Sequence, residues 1–440
     1  MRRVLGPGGA ARLGRFSRLA AYLIGWQSIT QLAGLVSGLL LLRWLSINEY
    51  AKYTFAFSFA SMVSQLVDLG FADSITGLIG ERADEPEVIG SYMKAALSLR
   101  WLVCLIFLPL SAVPFFILSS GHGWGLTTEL LLFATVVGAL TTRTMVDYYS
   151  IPLVIRGRLG SLYGAQLPVA VGRLAANALF KITGLLRGWT AAAIYVLGMA
   201  TTGAVMKARA QDLVTLPQAV DKRYRSQIIK MVVPLLPGQV FFALQGQITI
   251  VIASTLGGTV VLAQVGAVSR FAQGFAILAA INSYIFLPRI ARARSDAVRR
   301  NVVLALGGTS VLLGLIVITA FSFPGLLTLL LGPRYHNLGY VAGWYILSQA
   351  ILTLDGTLYT INLARKFIWW WSTIAQVGLI AVADIAMIAV VGVHSVLHLQ
   401  YLLVGSAVAS LVGAVGSLLY GLRVESRPTD RSSGSTQVRT

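Results

Sequence analysis

Long apolar stretches alternate with short polar segments along nearly the whole chain, and this pattern predicts helices that cross a membrane. Each such helix needs about 20 consecutive, mostly apolar residues. Polar residues interrupt the second, eighth and tenth stretches. The twelve predicted spans are 19–42, 53–77, 95–118, 129–152, 162–184, 189–206, 231–253, 261–287, 301–322, 339–361, 368–391 and 398–420.

The composition agrees with this prediction and narrows the class of protein. Of the 440 residues, 56% are hydrophobic and only 12% are charged, whereas soluble domains are about a quarter charged. The mean hydropathy is +0.76. We therefore expect an all-α polytopic membrane protein with twelve transmembrane helices.

The basic residues are distributed unevenly among the polar segments, and this distribution predicts the orientation. The formal net charge of +19 by itself also fits a nucleic-acid-binding protein. However, 26 of the 35 Lys and Arg residues lie in alternate segments, against four in the segments between them. Because cytoplasmic loops collect Lys and Arg, we predict an inner-membrane protein with both termini in the cytoplasm. A charge spread over seven separate segments also argues against nucleic acid as a partner.

The longest internal connection, Lys207 to Lys230, follows the sixth span and divides the spans into two equal sets. Six spans per set give both sets the same orientation, related by an axis along the membrane normal. We therefore predict two six-helix lobes around a central cavity. The predicted parts are a basic cytoplasmic N-terminus (1–18), an N-lobe (19–206), a cytoplasmic linker (207–230), a C-lobe (231–422) and a disordered cytoplasmic tail (423–440).

Charged and polar side chains fall inside several spans, where a charge costs about 2.5–3.5 kcal/mol at a helix centre. Such groups must pair, reach the interface or line a wet cavity. Helical spacing on three helices of the first half forms polar stripes that favour a shared cavity. The stripes are Ser58, Ser61, Gln65 and Asp68, then Arg143 and Asp147, and then Gln166, Arg173, Asn177 and Lys181. The second half offers Arg270 with Gln273, and Asp355 with Gln349 and Tyr359.

Structural roles compete with functional ones for these charges. Lys181 and Arg100 lie near span ends, from which their long side chains can reach the interface. Arg143 and Asp147 are four residues apart, so they can form an ion pair with a purely structural role. Arg173 and Arg270 lie deeper without an obvious local partner, which favours a role at a substrate.

The seventh span opens with two prolines and a glycine: Pro234, Pro237 and Gly238. Proline removes a backbone hydrogen bond and bends a helix. The pattern predicts a bend at the start of the second half, which is either a hinge or a static kink.

Motifs of several enzyme classes are missing from the sequence. It contains no phosphate-binding Gly-x-x-x-x-Gly-Lys-Ser/Thr loop, no His-Glu-x-x-His, no Gly-x-Ser-x-Gly and a single cysteine, Cys104. We therefore predict a protein that is not an enzyme and uses neither a cofactor nor a metal.

Two short motifs carry a resemblance to a known family. The first contains Arg43, Leu45, Ser46, Glu49, Tyr50, Ala51 and Tyr53, followed by Asp68, Leu69, Gly70 and Phe71. The second, in segment 323–340, contains Pro324, Leu330, Gly332 and Tyr335. Both resemble segments of the O-antigen-type lipid-linked oligosaccharide flippases. This polysaccharide-biosynthesis family is part of the multidrug/oligosaccharidyl-lipid/polysaccharide exporter superfamily.

This resemblance implies a flippase that moves a polyprenyl-pyrophosphate-linked oligosaccharide across the cytoplasmic membrane by alternating access of two lobes around a cationic cavity. Guanidinium groups bind phosphate oxygens in pairs. The implied substrate site consists of Arg143, Arg173, Arg270 and Lys181, lined further by Ser61, Gln65, Asn177 and Gln273. The candidates for energy coupling are Asp68, Asp147 and Asp355. The implied partners are the lipid-linked glycan, membrane lipids, a polysaccharide polymerase and glycosyltransferases.

Two other functions stay open. Extruder-type relatives bind cations through acidic residues of the first half, so Asp68, Asp73 and Asp147 also fit a cation-coupled multidrug/toxin antiporter. A membrane enzyme of glycan assembly is the third alternative, although such polymerases usually carry a large external loop. Lipid II flippases of the same superfamily carry further spans and arginines in the first span. This chain has twelve predicted spans and no arginine between Arg18 and the end of the first span, which argues against a peptidoglycan precursor as the substrate.

Overall fold

The computed structural model describes residues 7–79, 82, 84–233, 236–256, 258–281, 295–365, 367, 369–393 and 395–425, and their regular structure is helical. The first half contains α1 (Pro7–Trp44), α2 (Ile47–Asp68), α3 (Phe71–Ile79), α4 (Pro86–Ser120), α5 (Leu126–Ile155), α6 (Leu159–Ile182) and α7 (Gly188–Ala210). The rest contains α8 (Lys222–Val232), α9 (Leu236–Gln245), α10 (Ile248–Leu256), α11 (Gly258–Val268), α12 (Ala272–Ile281), α13 (Ser295–Ser322), α14 (Pro324–Leu331), α15 (Gly339–Ala364), α16 (Trp370–Val391) and α17 (Val396–Glu425).

The helices are long and apolar enough for a polytopic membrane protein, as the sequence predicts. Large apolar side chains point outward, with Leu105, Val382 and Val390 being 74%, 68% and 84% exposed. Seven helices of the described residues can cross a membrane by length and composition: Pro86–Ser120, Leu126–Ile155, Gly188–Leu213, Gly258–Ala279, Val302–Ser322, Trp370–Val391 and Val396–Val424. The bent pair α8 and α9 adds an eighth candidate. Twelve spans, and their division into two lobes, stay predictions.

Three of the predicted spans contain a break in the helix. Within the second predicted span, α2 ends at Asp68 and α3 begins at Phe71, because Leu69 and Gly70 between them adopt positive φ angles of 49° and 84°. The seventh is divided between α9 and α10, and the eighth between α11 and α12 by a 3₁₀ turn at Ser269–Phe271. Apolar composition predicts a span without regard to such breaks, since both pieces remain apolar.

The helices of the first half pack around α2, which contacts α4, α5 and α7, while α1 packs on α6. Small residues bring α5 and α7 together. A Cβ at Gly138 of α5 would lie 2.8 Å from Val196 Cγ1, and one at Gly203 of α7 would lie 2.8 Å from Met145 Cβ. Close approach at glycine is a common way to pack membrane helices, because lipid provides no hydrophobic drive between them.

The second half packs α15 against α13 and α17, and α16 against α17. The two halves meet where α1 and α2 contact α11, α12 and α9. Gly266 of α11 is needed at this contact, because a Cβ there would overlap the side chain of Thr54 on α2.

The connection between the halves is held against the first half. Helix α8 packs on α3 and α4. The Tyr92 hydroxyl donates to Gln227 Oε1 at 2.5 Å, and Lys94 Nζ donates to the Pro217 carbonyl at 2.5 Å.

One end of the bundle, here called the outer end, carries the segments 43–50, 121–125, 183–188 and 332–338, which the charge pattern predicts to be external. Arg43 at the end of α1 donates to the carbonyls of Leu329 and Leu330 at the end of α14. Arg334 in return donates to the carbonyls of Arg43 and Leu45. Each arginine thus caps the carbonyl end of the other half's helix.

Candidate substrate cavity

A cavity of about 370 Å³ lies between α2, α5 and α7 of the first half and α9 of the second. Its uncharged polar lining consists of Tyr53, Ser61, Ser64, Gln65, Thr135, Tyr195 and Gln239, and its charged lining of Asp68, Arg143 and Asp147. The predicted stripe on α2 therefore faces this cavity at three of its four positions. Ser58 lies on another face of α2, in a small apolar gap against Gln247 and Ile250.

A second cavity of about 360 Å³ adjoins the first and is lined by Asp68, Ala72, Arg143, Asp147, Ser150, Ile151 and Val154. The three charged residues line both cavities. They lie at the boundary between the two spaces, near the break that ends α2 at Asp68.

Two arginines and two carboxylates form one network at this boundary. Arg100 on α4 donates from Nη1 to Asp68 Oδ1 at 2.6 Å and lies 3.5 Å from Asp147 Oδ2. Arg143 donates from Nε to Asp147 Oδ1 at 2.9 Å. Asp147 is therefore shared by both arginines, and the four charges sum to zero.

The two arginines differ greatly in exposure. The side chain of Arg100 is 1% exposed, and that of Arg143 is 53% exposed. The Arg143–Asp147 ion pair that four-residue spacing predicts is present, and it lies on the cavity wall. No hydrogen bond within the described part of the chain uses the two terminal amino groups of Arg143. They are available to an anion in the cavity.

Arg100 belongs to the charge network beside the cavity, and the sequence analysis did not assign it to the site. The expectation that its side chain reaches the interface is wrong, because the guanidinium lies in the interior, 5.5 Å from the Tyr148 ring centroid. A buried charge is stable only with well-placed partners, and here they come from α2 and α5. A signal existed in the sequence, since the predicted spans two to four contain two acids, Asp68 and Asp147, to balance Arg100 and Arg143.

Arg173 lies behind the cavity wall. Its guanidinium stacks 5.2 Å from the centroid of Tyr195, whose ring lines the cavity. Its aliphatic part lies on α7, where a Cβ at Gly198 would overlap it. Arg173 therefore approaches the cavity through an aromatic ring and not directly.

Arg270 is likewise buried behind aromatic side chains. Its Nε donates to the Tyr50 hydroxyl at 2.8 Å, and that hydroxyl donates to the Gly266 carbonyl at 3.1 Å. The guanidinium lies 5.3 Å from the Tyr53 centroid and 5.7 Å from that of Phe57. Both rings line the cavity. This arginine of the second half is thereby anchored in the first.

The remaining predicted substrate residues lie away from the cavity lining. Lys181 Nζ donates to the Trp44 carbonyl at 3.2 Å, at the outer end. Asn177 is 4% exposed on α6. Gln273 packs on α1, where a Cβ at Gly34 would lie 3.4 Å from its Oε1.

Asp355 lies in a separate polar cluster within the second half. It accepts a hydrogen bond from Ser410 Oγ at 2.8 Å, and Gln376 Nε2 donates to the same Ser410 oxygen at 2.9 Å. These three residues join α15, α16 and α17. The structure brings Asp68 and Asp147 together, and it places Asp355 on other helices.

The predicted hinge lies partly outside the described residues, which exclude Pro234. Pro237 and Gly238 belong to the first turn of α9. Helices α8 and α9 meet at 64°, in line with a bend at this position. Movement about this bend stays a prediction.

Comparisons with known proteins agree with this architecture. Residues 17–155 match the family model described as polysaccharide biosynthesis protein. No curated protein sequence matches the chain. The matched residues include α2, α4 and α5, with all four members of the charge network.

Solved structures of transporters have the same fold. A MOP superfamily transporter from Pyrococcus furiosus, described by its reverse polarity of binding pocket, has a TM-score of 0.60 at 14% identity, over 93% of this chain and 95% of that one. A multidrug resistance MATE family transporter in an outward-facing conformation gives 0.60 at 14%, over 93% and 96%. A eukaryotic MATE transporter gives 0.59 at 12%, over 93% and 98%. This chain is therefore a polytopic membrane protein with the MATE transporter fold, and the resemblance of its first third to the polysaccharide biosynthesis family is confirmed.

Proposed function

We propose that the protein is a flippase that moves a polyprenyl-pyrophosphate-linked oligosaccharide across the inner membrane by alternating access. The observation that carries this proposal is the coincidence of the family match with the site. The match to the polysaccharide biosynthesis family covers residues 17–155, and these contain Asp68, Arg100, Arg143 and Asp147. The family match supports a glycan as the substrate, and the charged residues of the cavity support the binding of its phosphates.

The cavity lining suits the headgroup of such a lipid. The free amino groups of Arg143 can bind two phosphate oxygens in the geometry that guanidinium favours. Ser61, Gln65 and Gln239 offer hydroxyl and amide groups to sugar hydroxyls, and Tyr53 and Tyr195 offer flat apolar surfaces. A volume of about 370 Å³ is within the usual range for small-ligand sites, so it holds the pyrophosphate and the first sugars.

The placement of the cavity supports alternating access. Three walls belong to the first half, and Gln239, Phe242 and Ala243 of α9 form the fourth. A relative movement of the halves therefore separates α9 from α2 and opens the site. A polymerase and glycosyltransferases are the proposed partners, because the lipid-linked glycan must be made on one side and used on the other.

The proposal is tested by glycan export in a host that lacks its own copy of the gene. Arg143→Ala removes charge-assisted hydrogen bonds worth about 1.5–3 kcal/mol each, so we expect export to fall at least tenfold. Lipid-linked oligosaccharide should accumulate on the cytoplasmic leaflet. Arg158→Ala is the matched control, because Arg158 is exposed and pairs with Asp212 at 3.4 Å. Normal export by Arg143→Ala at equal membrane abundance contradicts the proposal.

A second candidate, a cation-coupled antiporter, is favoured by one observation: Asp68 and Asp147 both line the cavity. This candidate predicts efflux of cationic dyes that Asp147→Asn abolishes. Dye efflux without any effect of the gene on surface glycan would replace the first proposal by the second.

A further inference from the structure

We infer that Arg100, which the substrate does not touch, sets the preference of the cavity for anions over cations. That the preferred anion is a pyrophosphate rests on the proposed function, whereas the preference for anions rests on the charge network alone. Arg100 acts through Asp68 and Asp147 and is therefore a positioning residue.

A ligand in the cavity can meet three charged side chains. The side chains of Asp68, Asp147 and Arg143 are 22%, 24% and 53% exposed and line both cavities. These three alone sum to one negative charge. Arg100, 1% exposed, adds the positive charge that brings the cluster to zero.

Arg100 contacts both carboxylates. Its Nη1 donates to Asp68 Oδ1 at 2.6 Å and reaches Asp147 Oδ2 at 3.5 Å. Asp147 uses its other oxygen for the Nε of Arg143. The carboxylates therefore direct negative charge toward guanidinium groups, and the terminal amino groups of Arg143 remain for a ligand.

Arg100 is held in place independently of any ligand. Its guanidinium stands over the Tyr148 ring at 5.5 Å, and its Nη2 lies 3.4 Å from Ser64 Oγ. Its helix, α4, packs on both α2 and α5. Among the described residues, loss of this charge leaves two carboxylates on facing helices against one arginine, which is an arrangement that attracts cations. One buried residue therefore separates the two candidate functions of this cavity.

The test measures ion preference on the full-length purified protein, with inorganic pyrophosphate as the anion and tetraphenylphosphonium as the cation. We expect the native protein to bind pyrophosphate in preference. Arg100→Gln should weaken pyrophosphate binding at least tenfold and strengthen cation binding, since losing one member of a buried charge cluster leaves the others uncompensated. The double variant Arg100→Gln/Asp68→Asn restores the charge sum and should restore the native preference. A merely structural role of Arg100 would not be rescued in this way.

A second variant covers the case in which Arg100→Gln does not fold. Asp147→Asn keeps Arg100 and releases Arg143 from its counter-ion, so it should bind pyrophosphate more tightly than the native protein. Arg158→Gln is the control and should change neither affinity. The inference is overturned by unchanged preference in Arg100→Gln, by failure of the double variant to recover, or by unchanged pyrophosphate affinity in Asp147→Asn. Because no glycan is used, intact pyrophosphate preference without glycan export would contradict the proposed function and not this inference.

Discussion

Individual charged side chains are accommodated inside this apolar bundle in two ways. Arg100 is neutralised by carboxylates from two other helices. Arg270 is surrounded by the rings of Tyr50, Tyr53 and Phe57, with the Tyr50 hydroxyl as its hydrogen-bond acceptor. The planar guanidinium stacks readily on aromatic rings, and Arg270 makes such contacts with three of them.

The positions of the site residues on the helices explain which of them could be predicted from the sequence. Arg143, Asp147, Ser61, Gln65 and Asp68 share faces of single helices, and helical spacing is visible in a sequence. Arg100 could not be assigned in this way, because its partners Asp68 and Asp147 are 32 and 47 residues away. Gln239 was missed for the same reason, since it reaches the cavity from the second half.

His122 provides a prediction about pH. Burial lowers the pKa of its imidazole, which stacks on Trp124 at 4.6 Å and has Nδ1 3.3 Å from Thr259 Oγ1. An unfolded histidine titrates near pH 6.5, so below that pH the unfolded chain binds more protons than the folded one. The contribution of His122 to the free energy of unfolding is therefore fully present above about pH 6.5. It is lost as the pH falls through the lower pKa of the folded state.

We expect the melting temperature in detergent to fall on acidification, and to fall less in His122→Gln. Measuring thermal unfolding at a series of pH values checks this. His336→Gln, at an exposed position of the outer end, is the control and should behave as the native protein. An equal acid response in native protein and His122→Gln contradicts the account.

Between elements, the outer end is fastened by reciprocal caps. Arg43 and Arg334 each donate to carbonyls at the helix end of the opposite half. Gly332, with φ of +95°, lets the chain pass close to Arg43, where a Cβ would lie 3.2 Å from Arg43 Cγ. Tyr335 then packs edge-on against Tyr50 at 6.4 Å. The two motifs that carried the family resemblance thus contact each other in space.

Removing both caps should open the outer end. In the variant Arg43→Gln/Arg334→Gln, a cysteine at the cavity position Ser61, in a Cys104→Ala background, should react faster with a membrane-impermeant maleimide added from outside. The two caps consist of several hydrogen bonds from charged groups, each worth about 1.5–3 kcal/mol. We therefore expect the labelling rate to increase at least tenfold when both caps are removed. Arg187→Gln, a charge of the same end, is the control. Equal labelling in all variants shows that the caps do not hold the outer end closed.

The elements themselves were predictable to different degrees. Long apolar runs revealed α4, α5, α16 and α17, because hydropathy depends on composition. The breaks after Asp68 and at Ser269–Phe271 were not predictable, because a left-handed Leu69 or a 3₁₀ turn leaves no mark in an apolar run. The break after Asp68 matters most, because it ends α2 beside the charge network.

The fold of the molecule as a whole does not identify the substrate. The MATE transporter fold is shared with a multidrug resistance transporter, and one fold can serve different substrates. In the cavity of this chain, the charges of two acids are balanced by Arg143 on the wall and by Arg100 behind it.

In the proposed function, this cavity carries a phosphate-linked glycan between the two leaflets, and Arg143 holds the phosphates. The most direct measurement reconstitutes the purified protein into vesicles containing a polyprenyl-pyrophosphate-linked oligosaccharide and follows its accessibility to a lectin outside. We expect transbilayer movement of the lipid-linked glycan with the native protein and with Arg158→Ala, and loss of this movement with Arg143→Ala. Glycan movement at the native rate in Arg143→Ala would contradict the proposed function. So would the absence of glycan movement in vesicles whose protein actively exports a cationic dye.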